Sequence, residues 1–300
     1  MTSLRLGFFL LLCLAAFACR DPGHSPKVLR VGFVPAEDAS QVVQNAQPIV
    51  EILQKQLGME VQPFVATDYT GVVEALRVDK LDIAFLTPAS YVLAKNEANV
   101  KVVLKSERKG SPYYYAAIIT RADSGIKKLE DLRGKTFAFG DPLSTSANVF
   151  PRKMFHERGI DPVRDFKQIL YSGGHDATVL AVFNRKVDAG ATYANSPDSK
   201  DTAWMRYLKN PEEQKQIHAI AFSEPIPADN LVINGNLEEG IAKKVEQIFL
   251  ELSRDPKGKQ MLRDLYQIDG FVPATDKDYD SVRAAFAIAG IRLKEALQKN

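Results

Sequence analysis

Hydroxyl-bearing side chains cluster at a predicted junction between a strand and a helix. The segment Gly140-Asp-Pro-Leu-Ser-Thr-Ser146 leads directly into the sequence Ala-Asn-Val-Phe. Ser144, Thr145 and Ser146 can donate hydroxyl hydrogens, and the first turn of a helix presents N–H groups that have no partner inside the helix. This combination binds tetrahedral oxyanions, because a helix N-terminus carries partial positive charge. The alternative is a simple N-cap, since Ser and Thr are preferred capping residues.

A second junction contains a histidine between glycines and an acid. The segment is Ser172-Gly-Gly-His-Asp176, followed by an apolar helical pattern. The glycines allow the backbone to approach a ligand closely, and His175 can donate a hydrogen bond to an anionic oxygen. Asp176 fits a helix cap or an orienting partner for the imidazole. The alternative is a surface histidine near a turn.

Two further junctions each place a tyrosine in a predicted first helical turn. They are Thr67-Asp-Tyr-Thr70 and Thr87-Pro-Ala-Ser-Tyr91. Tyr69 and Tyr91 each offer a phenol donor and an aromatic wall, which suits an anion with a small organic substituent. Tyrosines at such positions also serve as packing residues, which is the alternative. We expect the four junctions to meet around one small anion.

Strand-like and helix-like patterns alternate from residue 29 onward, which predicts an α/β fold. A helix with a 3.6-residue apolar period ends at Gly58. The C-terminal part is predicted to be helical, over 238–253, 257–265 and 279–297. The predicted strands of the regularly alternating part are 29–35, 61–66, 81–86, 100–104, 136–140, 166–171 and 187–192.

The two sets of βα units are joined by two long β-prone runs, at 112–120 and 217–233. This organisation predicts a bilobal protein: two α/β lobes joined by two crossover strands, with a cleft between them. The first lobe is expected to comprise residues 29–116 plus 229–300, and the second lobe residues 117–228. Clefts of this kind, at the carboxyl ends of strands, are where small ligands bind.

The N-terminus has the features of an export signal. Residues 1–18 contain one cation, no acid and an apolar run that is too short for a permanent membrane span. Cys19 follows Ala16-Phe-Ala18, which resembles a bacterial lipoprotein signal in which this cysteine is acylated. Residues 19–28 would then be a lipid-anchor tether. A membrane-anchored lipoprotein of the periplasm or cell surface is predicted, and ordinary cleavage after Ala18 is the alternative.

Composition and motifs exclude several classes of function. Lys and Arg number 39 against 37 Asp and Glu, so the net charge of +2 gives no general attraction to nucleic acid. The two cysteines lie within the first nineteen residues, which excludes a disulfide framework and a multi-cysteine zinc site. Motifs for nucleotide cofactors and for a His-Glu-x-x-His metal site are absent from the sequence, so we expect neither cofactor nor metal. A hydrolase using Ser144 and His175 is a minor alternative, since no Gly-x-Ser-x-Gly turn occurs.

The sequence resembles the phosphate/phosphite/phosphonate-binding family of substrate-binding proteins from ABC transporters. The resemblance extends along nearly the whole chain after the export signal, and its most specific part joins the segment 139–146 to the Gly-His-Asp turn. Further matching segments are 29–35, 66–69, 81–91, 122–126, 132–142, 186–190, 224–227 and 270–273.

The resemblance implies a type II periplasmic binding protein fold, no enzymatic activity, and delivery of a phosphorus oxyanion to an ABC permease with its ATPase. A monomer is expected, and a sensor component for a signalling partner is the alternative. Relatives that take aminoalkylphosphonates carry an additional acid in the segment that here spans 192–197, which contains none. The ligand-binding residues that the resemblance implies are Tyr69, Tyr91, Ser144, Thr145, Ser146, His175 and Asp229, the last of which can accept from a protonated ligand or an amine.

Overall fold

The computed structural model describes residues 26–197 and 201–292. The predicted signal peptide, Cys19 and most of the predicted tether lie outside these residues. The strands are β1 (Val28–Phe33), β2 (Glu60–Val65), β3 (Ile83–Leu86), β4 (Val100–Glu107), β5 (Tyr113–Arg121), β6 (Thr136–Phe139), β7 (Gln168–Tyr171), β8 (Ala189–Ala194), β9 (Ile217–Phe222), β10 (Ile226–Pro227), β11 (Asn230–Asn234) and β12 (Gly270–Pro273).

Helices connect most of these strands. The α-helices are α1 (Ala39–Leu57), α2 (Tyr69–Arg77), α3 (Pro88–Glu97), α4 (Phe150–His156), α5 (Pro162–Asp165), α6 (His175–Phe183), α7 (Ala203–Tyr207), α8 (Pro211–Gln214), α9 (Glu239–Leu252), α10 (Pro256–Tyr266) and α11 (Asp280–Ile288). Shorter helical turns lie at Leu129–Leu132, Thr145–Val149 and Asp276–Tyr279. Among the described residues, none of the helices is both long and apolar enough to span a bilayer.

The strands form two separate mixed sheets. The first has the order β12-β4-β11-β3-β1-β2, with β1 parallel to β2 and β3, and with β11 antiparallel to β3 and β4. The second has the order β10-β5-β8-β6-β7, with β6 parallel to β7 and β8, and β9 pairs with β5 as an antiparallel strand. We call the elements around these sheets the first lobe and the second lobe.

The α/β prediction with two lobes is confirmed. The chain passes from the first sheet to the second between β4 and β5, and it returns between β10 and β11. Strand β5 belongs to the second sheet along its whole length, from Tyr113 onward. Asp229 lies between β10 of the second sheet and β11 of the first.

The central strands of both sheets are buried on both faces, as in other sheets covered by helices. All four residues of β3 are buried, as are three of the four in β6. Helix α1 covers the first sheet with an apolar stripe that includes Val42, Ile49 and Leu53. Asp38 caps its N-terminus by accepting from the Gln41 N–H at 3.1 Å, and Gly58 ends it with a φ of 68°.

Helix α11 bridges the two lobes. It packs against α3 of the first lobe and against α4 of the second. The helix is shorter than the predicted span of 279–297, because it ends at Ile288 and Gly290 adopts a left-handed φ of 66°. The predicted residues 293–297 lie outside the described part of the chain. The C-terminal helix thus belongs to neither lobe alone.

Candidate functional site

A cavity of about 60 Å³ lies between the two lobes. We call it the interlobe cavity. A single water needs roughly 10–15 Å³ of such space, so the cavity has room for a group larger than one water, such as a small tetrahedral oxyanion. The polar residues that line it are Glu37, Tyr69, Thr87, Arg108, Tyr114, Ser144, Ser146, His175, Tyr193, Asn195, Arg206, Tyr207, Asp229, Tyr266 and Gln267.

The serine-rich junction after β6 reaches this cavity through an unusual first turn. Ser144 and Ser146 line the cavity, and the Ser144 hydroxyl also accepts the Ala147 N–H at 3.2 Å. The chain forms a π-helical turn over Thr145–Val149 before α4 begins. Pro151 has no N–H to donate to the Ala147 carbonyl, and that carbonyl accepts from the Gly140 N–H at 3.0 Å instead. The N-cap alternative is therefore correct for Ser144, and it is compatible with a position at the cavity.

His175 begins α6 and faces the cavity from the second lobe. Gly173 precedes it with a φ of 80°, which a residue with a side chain rarely adopts. The His175 Nδ1 lies 3.0 Å from the Thr192 hydroxyl, and the ring packs edge-on against Tyr193. Burial, together with the charges of Arg108 and Arg206, lowers the pKa of His175 to about 4. The imidazole is therefore neutral at physiological pH and acts as a hydrogen-bonding group.

Two residues that line the cavity carry buried polar atoms without a hydrogen-bond partner. These atoms are the Tyr69 hydroxyl and both polar atoms of the Asn195 amide. Burial raises the pKa of Tyr69 well above its usual value, so the phenol keeps its proton and can donate. A buried polar group without a partner costs about 1–3 kcal/mol. The cavity therefore favours a polar ligand.

The charged groups that line the cavity occur as two ion pairs. Arg108 Nη2 lies 2.7 Å from an Asp229 carboxylate oxygen, and Arg206 Nη2 lies 2.7 Å from a Glu37 carboxylate oxygen. His175 adds no charge. The walls are consequently close to neutral in sum, although two guanidinium groups stand at the cavity. This balance is consistent with the near-neutral composition of the chain.

Two of the predicted site residues lie outside the cavity lining. Tyr91 does not line the cavity, since its hydroxyl donates to Asp276 at 2.6 Å and its ring packs against Tyr279 at a centroid distance of 4.8 Å. Thr145 also lies outside the lining, because its hydroxyl accepts the Ala89 N–H at 2.9 Å. Tyr91 thus fits the packing alternative, and Thr145 joins the two lobes. The remaining predicted residues, namely Tyr69, Ser144, Ser146, His175 and Asp229, all lie at the cavity.

Sequence reasoning missed several residues that line the cavity. Tyr114 comes from β5, and its hydroxyl interacts with the hydroxyls of Thr145 and Ser146. Arg108 and Arg206 are the guanidinium groups of the two ion pairs. The three consecutive tyrosines from 113 to 115 were a usable signal for Tyr114, because side chains alternate between the two faces of a strand. No comparable sequence signal points to either arginine.

The contacts do not support the hydrolase alternative. The Ser144 hydroxyl is engaged by the Ala147 N–H, and the His175 Nδ1 pairs with Thr192 instead of an orienting acid. A Ser-His-Asp arrangement requires the base to contact both the nucleophile and the acid. No group of His, Cys, Asp and Glu side chains within the described ranges could hold a metal ion.

Burial of His175 is expected to make stability depend on pH. The pKa in the folded protein is about 4, against about 6.5 in the unfolded chain. Between these two pH values the unfolded chain binds a proton at His175 that the folded protein does not bind. The free energy of unfolding therefore keeps its full value with respect to His175 above about pH 6.5, and it decreases as the pH falls toward 4. The loss from His175 alone is about 3 kcal/mol. Urea unfolding of the wild type and of His175→Asn at about pH 7 and about pH 4.5 measures it.

His175→Asn should show a weaker loss of stability at acid pH than the wild type. Comparing the variant with the wild type cancels other groups, such as Asp141, whose pKa burial raises to about 6 and which acts in the opposite direction. His156→Gln, at an exposed position, is the matched control and should keep the wild-type pH dependence. Equal pH dependence in the wild type and His175→Asn would contradict a buried neutral imidazole.

Comparison with known proteins shows that the sequence matches a known protein family. Residues 31–279 match the family described as "ABC transporter, phosphonate, periplasmic substrate-binding protein". The chain is 31% identical over 253 residues to the phosphonates-binding periplasmic protein of Escherichia coli, covering 82% of this chain and 73% of the relative. It is 29% identical over 287 residues to the phosphate-import protein PhnD of Mycolicibacterium smegmatis, covering 88% of this chain and 87% of the relative.

A crystal structure shows the same fold. It is that of a binding protein component of an ABC phosphonate transporter from Pseudomonas aeruginosa, with a TM-score of 0.79 and 28% sequence identity. The match covers 92% of this chain and 90% of the other chain. The two-sheet arrangement and the cleft between the lobes are therefore shared with a solved protein.

Proposed function

Because the chain belongs to the family of phosphonate-binding periplasmic substrate-binding proteins of ABC transporters, we propose that its own ligand is a small phosphorus oxyanion bound in the interlobe cavity. The observation that carries this proposal is the Tyr69 hydroxyl, which is buried and without a partner at a cavity that two serines and a neutral histidine also line. Phosphate, phosphite and small alkylphosphonates share the chemistry that these groups recognise.

The size and the charges of the cavity favour a small ligand without an ammonium group. A cavity of about 60 Å³ has room for phosphite, phosphate or methylphosphonate. The acids among the described lining residues, Glu37 and Asp229, are each bound to an arginine. The unpartnered amide of Asn195 can donate to a phosphoryl oxygen and accept from a P–OH group, but it cannot neutralise an ammonium. A buried ammonium without a carboxylate partner is costly.

The binding mechanism that we propose is capture by closure. In the open form, the ligand meets hydroxyl, amide and N–H donors that keep their protons at neutral pH. Closing the lobes excludes water from the cavity, which strengthens each of these hydrogen bonds. Hydrogen bonds from neutral donors to an anion contribute about 1.5–3 kcal/mol each, so a few of them hold the ligand without making its release too slow for transport.

We also propose where the protein acts and which partners it has. The chain resembles a lipoprotein at its N-terminus, and we propose that Cys19 is acylated and anchors a monomer to the membrane at the periplasm or cell surface. The closed form would then be presented to a permease, whose ATPase drives import. The family to which the chain belongs supports the transport role, since its members serve ABC transporters.

Tyr69→Phe tests the proposed site by removing only the phenol oxygen. The wild type should be stabilised by phosphorus oxyanions, by about 2.7 kcal/mol at a ligand concentration of about 100 Kd. We expect Tyr69→Phe to weaken binding by about 10- to 100-fold, since a hydrogen bond to an anion is lost. The fold should be unaffected, because the Tyr69 hydroxyl has no protein partner. Calorimetric titration with phosphate, phosphite, methylphosphonate and aminoethylphosphonate measures these affinities.

The matched control makes the same substitution outside the cavity. The Tyr279 hydroxyl donates to the Ala228 carbonyl at 3.2 Å, so Tyr279→Phe should lower stability by about 1 kcal/mol and leave affinity unchanged. Binding of glucose or alanine, without any response to the phosphorus oxyanions, would refute the proposed ligand class. Unchanged oxyanion affinity in Tyr69→Phe would remove Tyr69 from the site. Tightest binding to aminoethylphosphonate would refute the proposed preference for small uncharged substituents.

A further inference from the structure

A buried ion pair joins the two lobes at the wall of the interlobe cavity. Arg206 binds Glu37 through two nitrogens, with Nη2 at 2.7 Å from one carboxylate oxygen and Nε at 3.3 Å from the other. The Glu37 side chain is 8% exposed and that of Arg206 is 19% exposed. This two-point geometry fixes both side chains in one arrangement.

The two residues come from opposite lobes. Glu37 lies between β1 and α1 of the first lobe, whereas Arg206 lies on α7 of the second. The adjacent residue Ala36 accepts the His175 N–H at 3.0 Å, which is a second contact between the lobes at the same place. A third is the bond from the Tyr193 hydroxyl to the Gln267 side chain at 3.0 Å. The ion pair is thus part of a group of interlobe contacts around the cavity.

Ligand entry into a closed cavity requires the lobes to separate, and separation breaks this pair. Both charges then return to water, where they are well solvated. In the closed form the loss of hydration offsets much of the attraction between them, so the pair does not close the protein by itself. Once ligand contacts favour closure, however, breaking the pair is an additional barrier to reopening. The ion pair therefore affects the rate of ligand release more strongly than the rate of ligand capture.

We propose that Glu37 and Arg206 form a latch that holds the closed lobes together and sets the rate of ligand release. The inference rests on the proposed function, since it concerns the residence time of an oxyanion in that cavity. Glu37 and Arg206 act here as positioning residues through the lobes that they join. Their charges also line the cavity, so a direct electrostatic effect on the anion must be distinguished from the latch.

Substituting Glu37 and Arg206 one at a time distinguishes the latch from a direct electrostatic effect on the anion, because the two explanations predict different directions of change. A direct field effect predicts opposite changes: Glu37→Gln would leave an uncompensated cation and tighten anion binding, whereas Arg206→Gln would leave an anion and weaken it. A latch predicts that both substitutions accelerate ligand dissociation. The exchanged variant Glu37→Arg with Arg206→Glu restores opposite charges across the lobes and should return the dissociation rate toward that of the wild type.

Stopped-flow measurement of methylphosphonate dissociation tests the latch. Trp204, the single tryptophan of the chain, lies on α7 two residues from Arg206, so we expect its fluorescence to change when the lobes open. We expect a 10- to 100-fold faster dissociation in each single variant and a rate within about fivefold of the wild type in the exchanged variant. Glu74→Gln, which breaks the exposed Glu74–Arg77 pair, is the control and should keep the wild-type rate.

The outcomes distinguish the latch from the proposed function. Opposite changes in the two single variants, or unchanged dissociation in both, would overturn the latch while leaving oxyanion binding intact. Failure of the exchanged variant to slow dissociation relative to the single variants would also overturn it, provided that urea unfolding shows a folded protein. A wild type that binds none of the phosphorus oxyanions would overturn the proposed function and, with it, the latch.

Discussion

Ser146→Asp is expected to weaken oxyanion binding by about three orders of magnitude. Ser146 is 1% exposed and lines the interlobe cavity together with Ser144. A carboxylate at this position would face the bound anion across a few ångströms. Two unit charges 4 Å apart interact by about 4 kcal/mol at an effective dielectric constant of ~20. We therefore expect affinity for phosphate, phosphite and methylphosphonate to fall by about 1000-fold.

Ser146→Asn is the control that distinguishes the effect of the added negative charge from the effect of a larger side chain. The asparagine side chain is nearly the same size as aspartate, and its amide can donate to an oxyanion, so affinity should fall by no more than about tenfold. Calorimetric titration gives the affinities, and thermal unfolding without ligand shows whether both variants fold. Equal losses in the two variants would mean that crowding, not charge, is responsible. Unimpaired binding by Ser146→Asp would show that the oxyanion does not lie beside this residue.

The junctions between strands and helices could be predicted because local chemistry determines them. Ser144 caps its helix, and Gly173 precedes His175 in a left-handed conformation, so both segments are recognisable without knowledge of the rest of the chain. Parallel strands end at the same edge of a sheet, which brings such junctions together. The fold and the place of Ser144, Ser146 and His175 at the cavity therefore follow from local patterns.

Tyr91 shows that a residue in the predicted first turn of a helix need not reach the cavity. It lies in the first turn of α3, as expected, next to Ser90 and Ala89. The backbone N–H of Ala89, in the same turn, donates to Thr145 of the second lobe. Tyr91, two positions later, points toward α11 instead and contacts Tyr279. Only the packing of the C-terminal helix, remote in sequence, decides this direction.

The missed residues depend on contacts between distant parts of the chain. Arg108 pairs with Asp229, 121 residues away, and Arg206 pairs with Glu37, 169 residues away. Neither arginine belongs to a motif, and each lies in or near a short connecting element. Arg108 directly follows β4, whose pairing with β11 in the first sheet brings it to Asp229, and Arg206 reaches Glu37 only where the two lobes meet. A local sequence pattern cannot contain this information.

Arg108→Met is expected to be the most damaging single change among the charged residues of the cavity. The Arg108 side chain is 8% exposed, and it donates to Asp229, to the Ser106 hydroxyl and to the Tyr266 carbonyl. Its removal leaves the Asp229 carboxylate without its cation beside the oxyanion. We expect a loss of affinity of at least about 100-fold by repulsion. Stability should fall by about 1–3 kcal/mol, less than for a fully buried pair because Asp229 is 26% exposed.

Asp229→Asn and the double variant complete a thermodynamic cycle for this pair. Asp229→Asn keeps the cation and removes the anion, so oxyanion affinity should stay equal or increase. Arg108→Met with Asp229→Asn should bind within about tenfold of the wild type, because no unpaired carboxylate remains. Calorimetric affinities and urea unfolding on all four proteins give the coupling energy for binding and for stability.

The cycle also decides between two roles for Asp229. If Asp229 only balances Arg108, the double variant recovers most of the affinity that Arg108→Met loses. If Asp229 accepts a hydrogen bond from a protonated phosphorus oxyanion, as the family resemblance implies, Asp229→Asn weakens binding by itself and the double variant stays weak. The 2.7 Å contact to Arg108 Nη2 favours the first role, because a carboxylate held by a guanidinium is a poorer acceptor for the ligand. A weaker oxyanion affinity in Asp229→Asn than in the wild type would refute this assignment.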